Sequence, residues 1–261
     1  MTRDEIFLLL EKNQISMRPD DGAALAIIEK YLNAGEADDG GTGDELVALD
    51  AAIDEAADAA EEVYRDAGAA ADATDEIICR LIDGWNAHAV LRDFAFSYSA
   101  DERRYVVNSF ADMCPKLRTE MSEMSALSGK AGEAVAMLRG CSAQAQALAS
   151  ELRYAAIAAR LCDNAELDAE RQALSDETRE RALAAEKLAA EMLRVIRALS
   201  VTMSAVSAAI SQAASALHVD NEDGCASESS KLISPKRAAA ALSNAVGALR
   251  ASWSDARGGG E

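Results

Sequence analysis

The chain has 261 residues and a formal net charge of −19; half of its residues are hydrophobic, but only 4% are aromatic. A surface this acidic repels phosphate, which argues against nucleic acid and anionic lipid as partners. Because the hydrophobic half is mostly alanine and β-branched residues are sparse, the composition favours helix over strand and predicts an all-α fold.

Residues 1–34 are predicted to form a short N-terminal helical hairpin. Thr2 and Glu5 have the spacing of a capping box ahead of a short apolar run. That run is too short for the apolar region of a secretory signal, and acids precede it. Residues 35–43, with the sequence GEADDGGTG, are predicted to be a linker.

Residues 44–218 contain three long segments in which apolar and small side chains recur every three or four positions. Each such stripe must pack against another helix. Connections near 100–115 and 163–165 are short, so neighbouring helices must be antiparallel, and Pro115 is expected to begin the second long helix. The sequence therefore predicts an elongated, coiled-coil-like, antiparallel three-helix bundle.

The C-terminal part is predicted to contain a loop at 219–232, a helix at 233–254 that packs back on the bundle, and a disordered tail at 255–261. Ser234 followed by Pro235 is a good N-cap and first-turn pair for this helix.

The run ALSVTMSAVSAAISQAASAL at residues 198–217 carries no charge and is long enough to span a bilayer. Its many alanines and serines make a poor lipid span, because insertion depends chiefly on Leu, Ile, Phe and Val. The serine stripe Ser200, Ser204, Ser207, Ser211 and Ser215 runs beside an apolar stripe. We therefore expect a helix buried on two sides of a bundle, with membrane insertion as the alternative.

Acidic residues concentrate in residues 44–83, which have a net charge of −11, whereas residues 231–257 have a net charge of +4. The acidic stretch is interpreted as a solvated helix face, and a basic partner is the alternative. The sequence contains no HExxH and no GxSxG motif, and SGKAG at 128–132 lacks the pattern of a P-loop. The acidic segment 220–228 fails the spacing of a calcium-binding EF-hand loop. We expect no enzymatic activity, no cofactor and no metal site.

None of the five cysteines belongs to a CxxC motif, which argues against a zinc or thioredoxin-type site. If the first two long helices turn round within the predicted connection, Cys79 and Cys141 fall at the same height. The third long helix then returns Cys225 to the neighbourhood of Cys114. We predict Cys114–Cys225 and Cys79–Cys141 disulfides, with Cys162 left over, in an oxidising compartment. The alternative is that the cysteines are small core residues.

Six of the eleven aromatic residues lie between residues 85 and 110. This segment is predicted to thicken one end of the bundle into a head around residues 85–115. The head is either a small core that plugs the bundle end or a recognition surface, since aromatic and arginine side chains anchor many interfaces. The candidate binding residues are Trp85, Arg92, Phe94, Phe96, Tyr98, Arg103, Arg104 and Tyr105.

The long helical segments, the stretch DAAIDEAADAAEEVYRDAGAAADATDE and the tail ASWSDARGGGE resemble the helical-bundle surface proteins of African trypanosomes. That family includes the glutamic acid/alanine-rich protein and the haptoglobin–haemoglobin receptor, and the resemblance spans about residues 44–254. It implies a GPI-anchored surface glycoprotein whose membrane-distal head binds a host macromolecule as a receptor or shields the coat.

The leading functional hypothesis is a non-enzymatic surface protein that presents its head, together with the 219–232 loop, to a protein partner. Its only membrane contact would be through a lipid anchor. The chain is extracellular if a signal and an anchor signal have been removed from it, and cytoplasmic otherwise. The alternatives are an intracellular coiled-coil scaffold or adaptor and a helical pore-former that inserts residues 198–217.

Overall fold

The computed structural model of the protein describes residues 3–15, 22–34, 42–91, 99–218 and 233–258. All regular structure in these ranges is α-helical and forms six helices: α1 Arg3–Lys12, α2 Gly22–Ala34, α3 Thr42–Ala87, α4 Ala100–Leu161, α5 Ala165–Leu217 and α6 Pro235–Arg257. The long helices α3, α4 and α5 pack against one another, and α6 packs on α5. The predicted all-α bundle is thereby confirmed.

The chain divides into two compact units. Unit 1 comprises Met1–Asp58 and Ala136–Ala189, and unit 2 comprises Ala59–Val135 and Ala190–Glu261. Each of the helices α3, α4 and α5 contributes one stretch to unit 1 and another to unit 2. The helices α1 and α2 belong to unit 1, and α6 belongs to unit 2. The predicted bundle over residues 44–218 thus contributes to both units, and each unit contains different additional helices.

In unit 1, α1 and α2 pack on the C-terminal turns of α4. The buried side chains of this cluster are Ile6, Leu10, Leu25, Ile28, Tyr31, Ala155 and Ala158. A second cluster joins α3 to α4 and α5 and includes Leu49, Cys141 and Ala182. Arg181 of α5 forms an ion pair with Asp50 of α3, so part of the acidic stretch is paired within the chain.

Buried polar side chains connect α4 to α5 in unit 1, along a contact that we call the α4–α5 seam. Each donates a hydrogen bond to a backbone carbonyl of the facing helix: Ser142 to Ala182 (3.0 Å), Ser175 to Ala149 (2.7 Å) and Arg171 to Ala155 (3.1 Å). The Arg171 guanidinium also lies over the Tyr31 ring, 4.8 Å from its centroid. Because the neighbours are mostly alanine, the helices approach closely enough for these short side chains to reach across.

Unit 2 has a core of larger side chains, to which α3, α4, α5 and α6 all contribute. Its largest fully buried members are Trp85, Phe110, Ile78, Leu117 and Leu217, and Leu242 of α6 packs in the same cluster. Arg250 of α6 forms two hydrogen bonds to the Asp75 carboxylate of α3, at 3.0 and 2.9 Å. The basic C-terminal helix is therefore one partner of the acidic α3 face.

Three helices end in the same hydrogen-bonded turn, in which a residue with positive φ follows the helix. The residues are Gln14 (φ 57°), Ala89 (φ 62°) and Asp163 (φ 58°). After α3, the Val90 amide donates to the Trp85 carbonyl (3.2 Å) and the Ala89 amide to the Asn86 carbonyl (3.0 Å). This is the Schellman pattern, and Val90 completes it by packing into the core of unit 2.

The predicted connection at 100–115 is wrong, because residues 100–115 are helical and α4 begins at Ala100. The helix starts with a capping box: the Ser99 amide donates to Glu102 (2.8 Å), and the Glu102 amide donates to the Ser99 hydroxyl (3.2 Å). Pro115 therefore lies inside α4 instead of beginning a helix. Buried Val106 and Phe110 hold the preceding turns in place despite the proline.

Other predicted boundaries shift by a few residues. Thr42 and Gly43 of the predicted linker begin α3, and α6 runs to Arg257, into the predicted tail. Pro235 is the first residue of α6 as predicted, but the Ser234 side chain makes no capping hydrogen bond. The rest of the predicted linker, the loop at 219–232 and Thr2 lie outside the described residues.

The expectation that the uncharged run 198–217 is buried on two sides is wrong for the serine stripe. All five of its serines are exposed, whereas Leu199, Val206, Ile210 and Leu217 are buried in unit 2. Among the described helices, α5 is the one that is long and apolar enough to cross a membrane. Its large apolar side chains mostly face the core of unit 2, which accounts for the apolar part of the run without a membrane.

Neither predicted disulfide is present, because Cys79, Cys114 and Cys141 are free thiols and Cys225 lies outside the described residues. The pairing of Cys79 with Cys141 assumed that the connection between α3 and α4 covers residues 100–115. The connection lies between Ala87 and Ala100 instead, which changes the register of α3 on α4. Cys79 packs against the unit 2 core, whereas Cys141 is buried in unit 1.

Candidate functional site

The described part of the predicted head lies where α3 ends and α4 begins, in unit 2. The turn after Ala87 places His88 outside the helix, and the capping box at Ser99 sets the direction of the first turns of α4. The His88 ring stacks on the Tyr105 ring, with centroids 3.8 Å apart and planes inclined by 28°. We call His88, Arg103, Arg104 and Tyr105 the head surface.

Buried and hydrogen-bonded residues next to Tyr105 form what we call the base of the head surface. Trp85 is fully buried, and its indole nitrogen donates to the Ser109 hydroxyl (2.7 Å), which in turn donates to the Val106 carbonyl (3.0 Å). Gly84 lies beneath Tyr105, because a Cβ at this position would be only 3.0 Å from the Tyr105 hydroxyl. The base thus fixes the position of the Tyr105 ring.

The charged groups at and next to the head surface differ in their exposure and in their hydrogen-bond partners. Arg104 is exposed, and Arg103 is half-buried, with a buried Nε that has no acceptor among the described residues. The pKa of Glu102 lies below its ordinary value because the Ser99 amide and hydroxyl hydrogen-bond to it, with a smaller contribution from His88. Glu102 is therefore held as a carboxylate at the start of α4, where the helix dipole also favours a negative charge.

The structure brings only some of the predicted binding residues together. Arg103, Arg104 and Tyr105 share the first turns of α4, whereas Trp85 is buried beneath them and is not available for direct contact with a partner. Four further predicted residues, Arg92, Phe94, Phe96 and Tyr98, lie outside the described residues. Their binding role stays a prediction.

Sequence reasoning missed the contributions of His88 and Gly84. His88 is 17 residues from Tyr105, and only the turn after α3 brings the two rings together. The Ser99–Glu102 spacing is a visible capping signal and could have located the start of α4.

The arrangement offers stacked aromatic rings and guanidinium groups, which suit recognition of carboxylates and apolar side chains. Within the described ranges, no group of three or more His, Cys, Asp or Glu side chains is arranged to hold a metal ion. Comparisons with protein-family models, curated proteins and solved structures found no match to this chain.

Proposed function

We propose that the chain is a non-enzymatic helical-bundle protein that binds a protein partner through the head surface. The observation that carries this proposal is the His88–Tyr105 stack, which sits at the end of two helices on a base fixed by Trp85. The proposal retains the cell-surface setting and the lipid anchor that the resemblance to trypanosome surface proteins implies.

Preorganisation is the physical reason to favour this surface. Stacking restricts two side chains before any partner arrives, so less conformational entropy is lost on binding. Arg104, which is exposed, can pair with a carboxylate of the partner at its rim. A partner that presents an acidic residue next to an apolar one would use both features.

Phage display provides the test, with the full chain as bait and a random peptide library as the probe. We expect enriched peptides to bind the wild-type chain at least tenfold better than a His88→Ala/Arg104→Ala variant. Both substituted residues are exposed, so the fold should be retained. The matched control is Tyr64→Ala/Arg65→Ala, an exposed aromatic–arginine pair on α3 of the same unit. Peptides that bind all three proteins equally well would refute the proposal.

The free thiols favour a second candidate, an intracellular coiled-coil scaffold. Cys79, Cys114, Cys141 and Cys162 are all unbridged, as in proteins of reducing compartments. Thiol counting on the denatured protein from its native source separates the two candidates. Five free thiols support the scaffold, and mostly oxidised cysteines support the surface protein.

The pore-forming alternative depends on the uncharged run of α5, the one described helix that meets the length and hydropathy of a membrane span. Insertion would require Leu199, Val206, Ile210 and Leu217 to leave the core of unit 2. Dye leakage from liposomes tests this alternative directly, and we expect no leakage at any pH.

A further inference from the structure

A groove runs between α4 and α5 in unit 1 and has a volume of about 690 Å³. Its floor consists of the buried residues Ala149, Ser175 and Ala182. The walls are polar and mostly exposed: Gln146, Ser150 and Arg153 on α4, and Gln172, Asp176 and Arg179 on α5. The volume is typical of ligand sites, and the exposed walls leave room for an elongated ligand.

The polar atoms on the floor of the groove already have hydrogen-bond partners within the chain. The Ser175 hydroxyl donates to the Ala149 carbonyl across the α4–α5 seam, and the Ala182 carbonyl accepts from Ser142. These contacts fix the register of the two helices and leave no buried donor on the floor to attract a ligand. Recognition therefore depends on the walls.

Two arginines from opposite helices line the groove, and neither forms an ion pair with another described residue. Three other arginines of unit 1 form ion pairs: Arg139 with Glu186, Arg160 with Asp168 and Arg181 with Asp50 and Glu177. Arg171 is buried in the α4–α5 seam and donates to a backbone carbonyl. The one acid that lines the groove, Asp176, accepts a hydrogen bond from Gln172 at 3.3 Å. The lining thus has an excess of positive charge in an acidic protein.

The helix register sets the distance between these two positive charges along the groove. Ser175 is level with Ala149, so Arg179, one turn further along α5, is level with about residue 145 of α4. At a rise of 1.5 Å per residue, the Arg153 backbone lies about 12 Å further along the groove. In an extended peptide, residues i and i+4 point to the same side and are about 13 Å apart.

From this match we infer that the groove binds an extended acidic peptide of a partner protein, with two carboxylates four residues apart that pair with Arg153 and Arg179. Leu183, which is 61% exposed at the Arg179 end, provides a contact for an apolar residue of the peptide. Asp176 lies between the arginines and disfavours a carboxylate at the middle of the peptide. This site is independent of the head surface, which belongs to unit 2.

The test uses the full chain labelled with ¹⁵N and two synthetic peptides of equal charge. Glu-Ser-Gly-Ser-Glu-Leu has the inferred spacing, and Glu-Glu-Ser-Gly-Ser-Leu has adjacent acids. We expect the first peptide to shift amide signals of the groove residues, with a dissociation constant in the millimolar range, because exposed ion pairs contribute little each. The second peptide should bind at least threefold more weakly.

Two charge-matched variants complete the test. Arg153→Gln/Arg179→Gln should weaken binding of the first peptide at least tenfold. Arg194→Gln/Arg197→Gln, which removes the same charge from α5 outside the groove, should leave the affinity unchanged. Equal binding of both peptides, or equal effects of the two variants, would overturn the inference. So would binding of azelate, a linear dicarboxylate, as tight as that of the first peptide, because the site would then belong to a small molecule.

Discussion

The two units hold α4 against α5 by different means. In unit 1, the α4–α5 seam consists of alanines and of polar side chains that donate to carbonyls of the facing helix. In unit 2, large side chains such as Trp85 and Phe110 fill the space between α3, α4, α5 and α6. The same helices therefore rely on hydrogen bonds and close approach in one unit and on apolar volume in the other.

This difference indicates how an alanine-rich chain can specify a single packing. Alanine buries little area and has few shape features, so an alanine seam alone does not fix the register of two helices. A buried serine that must reach one carbonyl does fix it, because a slipped register would leave the hydroxyl without a partner. Unit 2 obtains the same specificity from the shapes of its large side chains.

The largest expected effect is that of Trp85→Ala, which removes a fully buried aromatic side chain and its bond to Ser109. We expect a loss of about 3–5 kcal/mol in the free energy of unfolding. Hydrogen exchange should increase within unit 2 and remain slow at the α4–α5 seam. Trp85→Phe separates the loss of the hydrogen bond from the loss of volume. If the exchange protection of both units collapses together, the comparison between them fails, and the head is part of a common core.

The double variant Ser142→Ala/Ser175→Ala removes two buried donors of the α4–α5 seam. We expect a loss of about 1–3 kcal/mol, because each net hydrogen bond contributes about 1 kcal/mol and the two sites are far enough apart to add. Urea denaturation measures the change. Ser150→Ala is the control, because this exposed serine, within the part of the chain that the structure describes, bonds only to the Gln146 carbonyl of its own helix. A double variant as stable as the control would mean that alanine packing alone holds the seam.

A smaller effect is expected for Arg250→Gln, which breaks the ion pair between α6 and Asp75. Because Arg250 is largely exposed, the pair contributes little and is screened by salt. The midpoint of thermal unfolding should fall slightly in low salt and should match that of the wild type in 1 M NaCl. Arg237→Gln, an exposed position on the same helix, is the control. A salt-independent difference would show that the Arg250 stem, not its charge, stabilises α6.

The smallest effect concerns pH and the start of α4. The pKa of Glu102 is lower in the folded chain than in the unfolded chain, so its ionised form stabilises the fold. This contribution is complete above the unfolded pKa of about 4.3 and is lost as pH falls through the folded pKa. The Ser99 amide signal in ¹⁵N spectra should follow this titration. The titration should persist in Asp101→Asn and disappear in Glu102→Gln; the same titration in Glu102→Gln would contradict the assignment.

The helices were predictable from the sequence because alanine content and three–four periodicity both indicate helix. The register of the helices on one another was not predictable, because Pro115 was interpreted as the start of a helix. The sequence does not show the packing that keeps Pro115 inside α4. Ser142 is buried among small side chains of its helix, but the sequence does not show which carbonyl it reaches. Arg171 could not be expected in the interior, because a buried arginine needs a specific carbonyl and ring that only the folded chain provides.

The packing of Tyr105 on a cluster with Trp85 and Phe110 is consistent with the clustering of aromatic residues in the sequence. Its stacking on His88 was not predictable, because that contact depends on a turn whose positive-φ residue is an alanine. Glycine would have marked such a turn in the sequence. The groove of unit 1 could not be predicted from the sequence either. Its two arginines lie on separate helices, and only the register of α4 on α5 brings them to the same groove.

Pro115 inside α4 bears on the order in which the chain folds. A proline has no amide hydrogen to donate to the carbonyl four residues earlier. In a helix interior it therefore costs about 3 kcal/mol relative to alanine. The stretch from Pro115 to Leu161 can nucleate without that penalty, because proline is well tolerated in a first turn. We expect Ala100–Cys114 to become helical later in folding, when Val106 and Phe110 pack against α3.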